Sequence, residues 1–175
     1  MDENERFPVL PKPRFTLVRI AVPVDVPDHV KKSLAETGVP AGLIGYEYQA
    51  LPAAVHLDGP LGGHLVAFGS SGAFGRVCVD VHTGAVRYVP EPGSTYVSEV
   101  NRDVGSFTRC VAAVIDRFPF YEEDSDEEEF WRLAGELRDI VRSYDPGKYA
   151  EDGFWDLFCE DAAQGYYSDW DYPGP

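Results

Sequence analysis

Residues 65–89 read LVAFGSSGAFGRVCVDVHTGAVRYV, three apolar runs separated by two short turn signals. Side chains alternate along a strand, so in the middle run Val77, Val79 and Val81 share one face while Cys78, Asp80 and His82 share the other. The turn signals are Ser70, Ser71, Gly72 and His82, Thr83, Gly84, each ending in a residue able to take the positive φ of a tight hairpin. The pattern predicts a three-strand antiparallel meander with one clearly apolar face, and everything else in the chain must cover it.

Working outward, Pro90 and Pro92 end the meander, because two prolines in three residues cannot continue a ladder, and 95–100 adds a last short strand. The period then becomes helical: Val104, Phe107, Val111, Val114, Ile115 and Phe118 fall on one stripe, capped by Asn101 or Asp103 and stopped by Pro119. Ser125 and Glu128 predict a capping box for a second helix running to about residue 144, with Phe130, Leu133, Leu137, Ile140 and Val141 inside. A third helix spans roughly 152–163 and ends at Gly165. Upstream, the loop 52–63 is rich in Pro and Gly, and 43–51 reads as a strand with Ile44, Tyr46 and Tyr48 on one side and Glu47 and Gln49 on the other. A helix with Val30 and Leu34 inside opens at Pro27 and closes at Gly38, and 15–20 is a short strand. The expected class is α+β: an antiparallel-rich central sheet with an N-terminal helix and a C-terminal block of three helices packed on it. Residues 1–20 are a lead-in, 21–165 one domain and 166–175 a flexible tail.

The 175 residues suit a single domain, and 44% hydrophobic residues with ten Tyr, ten Phe and three Trp supply its core. No run is long and apolar enough to span a membrane, and the acidic, polar start is unlike an export signal, so a cytoplasmic protein is expected. Cys78, Cys110 and Cys159 fit neither a disulfide framework nor a metal motif, and His29, His56, His64 and His82 are equally scattered. No cofactor and no metal is expected. The net charge of −15 is concentrated: residues 122–175 hold 17 acidic and 4 basic residues (−13), leaving 13 acidic and 11 basic (−2) in the rest. Such a field repels nucleic acid and anionic membranes and attracts cationic surfaces.

Four blocks in this order resemble the fourth subfamily of the SUKH superfamily of bacterial immunity proteins: ETGVP at 36–40, FGSSGAFGRVCVDVHTGAV at 68–86, EVNRDVGSFTRCVAAV at 99–114 and YDPGKYAEDGFWDLFCED at 144–161. In the last block Asp145, Pro146, Phe154 and Trp155 stand where that family would place them. The similarity covers about 22–165 and departs at Arg102 and Asp103, where small hydroxyl residues are usual. It implies an α+β domain that neutralises a cognate toxin, commonly a nuclease or deaminase domain, by binding it inside the producing cell without catalysis. It carries over no contact residue.

Cys78, Asp80 and His82 share a strand face, but at about 3.3 Å per residue Cys78 and His82 lie roughly 13 Å apart, several times the ~3 Å a nucleophile and base require. They read as a core cysteine, a turn-flanking aspartate and a surface histidine. Gly69, Gly72 and Gly75 read as hairpin glycines, since no lysine and no helix follow them. Asp124, Asp126 and Glu128 lack the central glycine and twelfth-position glutamate of a calcium loop. The acidic run instead reads as a partner-binding face of Glu122, Glu123, Asp124, Glu127, Glu128, Asp156 and Glu160, anchored by Tyr121 and Trp170. Such a face suits a basic toxin cleft built for phosphates. The chain is expected as a monomer or weak dimer, and the alternative reading is an intracellular protein-binding scaffold of the same superfamily with no toxin partner.

Overall fold

A computed structural model describes residues 13–58, 64–122 and 124–167. In chain order the elements are β1 (Leu17–Val18), α1 (Asp28–Lys31), β2 (Val39–Pro40), β3 (Gln49–His56), β4 (Leu65–Ser71), β5 (Gly75–Asp80), β6 (Val86–Val89), β7 (Ser98–Asn101), α2 (Val104–Asp116), α3 (Glu127–Tyr144) and α4 (Phe154–Ala163). β3 to β7 form one five-stranded antiparallel sheet in sequence order, and β1 pairs with β2 in a separate two-stranded sheet.

The meander forms as its alternation requires. Val66, Phe68, Val77, Val79, Val86 and Val100 face the main core, where they meet Phe107, Val111 and Val114 of α2 and Phe154, Trp155 and Phe158 of α4. Fully burying such a side chain stabilises by about 1.5–3 kcal/mol. A one-residue slip would turn the whole row outward, so this face fixes the register. The opposite face is not bare: Leu65, Ala67, Cys78 and Val89 bury a second cluster against Leu51, Leu57 and Val97. The expectation of a single apolar face is corrected accordingly.

A bulge at Phe68 brings Gly69 opposite Val77 on the core side, and there the ring of Tyr48 lies where a β-carbon would stand. Gly69 is therefore a close-approach glycine and not a hairpin one. The Tyr48 hydroxyl donates to Pro40 O (2.9 Å), and its ring packs edge-on to Phe107.

Residues 43–51 do not form the expected strand. Gly45, at φ +54°, folds 44–47 into a turn closed by Glu47 N–H to Ile44 O (3.0 Å), so Ile44 and Tyr48 are buried while Tyr46 is exposed. The strand starts at Gln49 and runs through what reads as the start of a loop. Its register shifts between Ala50 and Val55, which accommodates Pro52 at an irregular edge. The outer side of β3 is occupied by the N-terminal segment: Ala50 N–H donates to Ala41 O (2.9 Å) and Ala54 N–H to Ala21 O (2.8 Å).

The helices depart in part from the expected block. α1 is a single turn preceded by Pro27, which is its N-cap, and it runs into a π-helical turn (Lys32–Thr37). The wide turn closes with Gly38 N–H donating to Ser33 O (3.0 Å), while Ile20 N–H donates to Leu34 O (3.1 Å). α2 is capped by Asp103, whose carboxylate accepts Ser106 N–H (2.6 Å). α3 packs on α2 and α4 as an outer layer. Its fully buried stripe is only Leu133, Ala134, Leu137 and Val141, a width suited to that position, with Phe130 and Ile140 partly buried.

Candidate functional site

The acidic run begins where helix geometry rewards it. The capping box at the start of α3 is Asp126 with Glu129, one residue later than expected: Asp126 accepts Glu129 N–H (3.0 Å) and the Glu129 carboxylate accepts Asp126 N–H (3.3 Å). Ser125 instead accepts Glu122 N–H (2.8 Å), tying down the preceding turn. Glu127 and Glu128 remain in the first turn, favoured by the positive end of the helix dipole and free to face outward.

This turn is fastened to the end of α4. The Tyr121 hydroxyl donates to Ala162 O, the Tyr121 and Phe130 rings meet at 4.6 Å, and Phe130 closes on Gly165. Glu122, Asp124, Glu127, Glu128 and Glu160 are all exposed. The basic residues of the last third are spent elsewhere: Arg132 on Glu136, Arg138 on Asp156, Lys148 on Glu99, and Arg142 over the Tyr149 ring at 4.6 Å. Among the described residues, none of the five exposed carboxylates has an ion-pair partner.

Two of the residues assigned to this face lie inside. Tyr121 is buried, its ring in the core and its hydroxyl bonded, because it is the clasp between α3 and α4. Asp156 is buried in the first turn of α4, accepting Tyr149 O–H (2.8 Å) and Asp152 N–H (3.0 Å) beside Arg138. Glu123 and Trp170 lie outside the described residues. Trp131 and Tyr166 are exposed aromatics beside the acidic residues.

A second acidic group sits at the same end. Glu47, in the turn before β3, is half-buried, and burial pushes its carboxyl above the usual range although Tyr167 hydrogen-bonds to it. Asp161 of α4 is raised in the same way by burial, with the Tyr167 hydroxyl 3.4 Å from it. Glu47 is hidden in the sequence as a lone carboxylate in an apolar stretch, and the positive-φ glycine two residues before it is the signal that the stretch turns.

A different set of polar groups locks the fold. Asn101, at the end of β7, accepts the Trp155 indole N–H (3.0 Å) and donates to Asp145 Oδ2 (3.2 Å) and to Cys110 Sγ (3.5 Å). Arg102 N–H also donates to Asp145. The four side chains are buried and join β7, α2, α4 and the residue after α3.

The cysteine set is not assembled. Cys78 lies in the second cluster, and burial pushes its thiol up to about 12. Asp80 holds the following turn by accepting His82 N–H (2.9 Å) and Thr83 N–H (3.3 Å), and the exposed His82 stacks on His64. Burial also raises Cys110 to about 11 and Cys159 to about 12. Among the described residues no group of three His, Cys, Asp or Glu is placed to hold a metal, and no helix is long and apolar enough to cross a membrane. The groove between α2 and α3, lined by Phe15, Arg109, Asp116, Arg117, Ile140 and Tyr144, mixes both charges without converging groups.

Fold and surface thus define a small α+β protein that presents, where α3 begins and α4 ends, a row of exposed carboxylates with no ion-pair partner among the described residues. The chain matches the model of the SUKH-4 immunity protein family over residues 5–161, and it belongs to that family. The match takes in much of the lead-in that the sequence reading leaves outside it. No curated protein and no solved structure matches the chain.

Proposed function

We propose that this protein binds and neutralises a cognate toxin domain in the cytoplasm of the producing cell, without catalysis, and that the toxin is a nuclease or deaminase domain with a basic nucleic-acid cleft. Membership of an immunity protein family supports a toxin partner. The observation that carries the finer reading is the row of exposed, cation-free carboxylates at the α3 and α4 junction: Glu122, Asp124, Glu127, Glu128 and Glu160, with Glu123 between them in the chain. Set before and in the first turn of α3 and near the end of α4, they present negative charge where a phosphate backbone would lie, so they steer the encounter and occlude the cleft. Trp131 and Tyr166 supply apolar area beside them.

The test is titration of the toxin domain encoded beside this protein, with binding and nucleic-acid damage followed at two salt concentrations. Stoichiometric binding that abolishes the damage, with an association rate that falls as salt rises, supports the reading. Failure of that toxin domain to bind favours the scaffold alternative.

A further inference from the structure

The clearest unmet electrostatic demand lies beside the acidic row, at Glu47 and Asp161. One comes from the turn before β3 and the other from the last turns of α4, and both lie at the Tyr167 hydroxyl, which has one proton to donate and stands 3.4 Å from Asp161. Neither forms an ion pair among the described residues, although elsewhere Glu99 takes both Arg87 (2.8 Å) and Lys148 (3.1 Å). Asp161 raises Glu47 further by repulsion, and the attraction of a cation placed between the two carboxylates would offset both that repulsion and their lost hydration.

Exposed aromatic residues lie on the turns that carry or adjoin this pair. Tyr46 O accepts Gly72 N–H (2.7 Å), which sets the turn containing Tyr46 against the β4–β5 turn containing Phe74. Tyr88 touches Ser71 of that turn through its hydroxyl and feels the charge of Glu47. Tyr166 precedes Tyr167, and its N–H donates to Asp161 O (3.2 Å). Tyr46, Phe74 and Tyr166 are 62%, 66% and 60% exposed, too open to serve as core. Aromatic rings around a charge that becomes desolvated on binding are the composition of an interface hot spot. The acidic row before and in the first turn of α3 is tied to the same end of α4 by the Tyr121 bond to Ala162, and its charge selects a basic partner.

We infer that Glu47 and Asp161 are the centre of the toxin interface, receiving one arginine or lysine side chain of the basic toxin between the rings of Tyr46, Phe74 and Tyr166. This rests on the immunity reading and moves the interface centre from Tyr121 and Trp170 to the turns beside β3 and β4. The outer carboxylates then govern arrival, whereas the central pair governs residence.

The experiment compares three proteins against the same toxin domain by association and dissociation kinetics: native, Glu47→Gln with Asp161→Asn, and Tyr46→Ala with Phe74→Ala. Both variants should dissociate at least about tenfold faster than native with little change in association rate, as truncation at a hot spot does. The amide variant should melt no lower than native at pH 7, because it removes two strained charges while keeping shape and the hydrogen bond to Tyr167. Faster dissociation without loss of stability separates a contact role from a structural one. Native binding combined with unchanged dissociation of both variants overturns the inference and leaves the immunity reading standing. No binding by the native protein overturns both.

Discussion

At the scale of single residues, Asn101 has three side-chain partners, each from another part of the fold. Asn101→Leu leaves the Trp155 N–H unpaired and takes a donor from the buried Asp145, so it should destabilise by about 3 kcal/mol, read as a lower urea midpoint at unchanged slope. Glu47 behaves oppositely. Its folded pKa is raised, so the proton is held more tightly in the folded than in the unfolded state. That contribution to stability is complete below the ordinary carboxylate pKa and is lost as pH rises through the folded value. Glu47→Gln should therefore be at least as stable as native at pH 7, with the gap closing below about pH 4 in thermal melts. Tyr167, Asp161 and Tyr88 face this carboxyl, and none brings a positive charge. Local sequence offers Asn101 as a helix cap and marks Asp145 and Trp155 through the family resemblance, but not the lock itself, because its bonds join residues 44 and 54 positions apart. Tyr121 and Asp156 mislead for a related reason: acidic neighbours describe where the backbone runs, not which way a side chain points.

At the scale of elements, the period was readable where apolar residues met the main core, and capping to within a residue. The meander, α2 and α3 follow from alternation, from the stripe beginning at Val104 and from an acidic helix start, although the capping box is Asp126 with Glu129 and not Ser125 with Glu128. Asp126→Ala should cost about 1 kcal/mol by removing the cap, and far-UV circular dichroism during thermal melting measures it. The strand β3 was not legible, since Pro52 forbids a regular ladder and only tertiary partners, Ala21 and Ala41, make an irregular edge acceptable. Gly69 also owes its identity to a tertiary partner. Gly69→Ala drives a methyl into the Tyr48 ring and should cost about 1–3 kcal/mol as overpacking, seen as a lowered melting temperature with loss of near-UV tyrosine signal.

For the whole molecule, the charge asymmetry was legible by counting, and the structure adds that the basic residues of the last third are engaged away from the acidic row. Reversing Asp124, Glu127 and Glu128 to Lys should slow association with a basic toxin about tenfold at low salt, the gap shrinking as the Debye length falls to about 3 Å at 1 M. Glu129 is left out because it belongs to the capping box, so its reversal would confound charge with helix stability. The lock made by Trp155 and the acidic pair containing Asp161 occupy opposite ends of one helix, roughly 9 Å apart along its axis at 1.5 Å per residue. Inheritance can treat them separately. On the proposed interface, the turns around Tyr46 and Phe74 can be rewritten to suit a different partner while the lock that holds the scaffold together stays untouched.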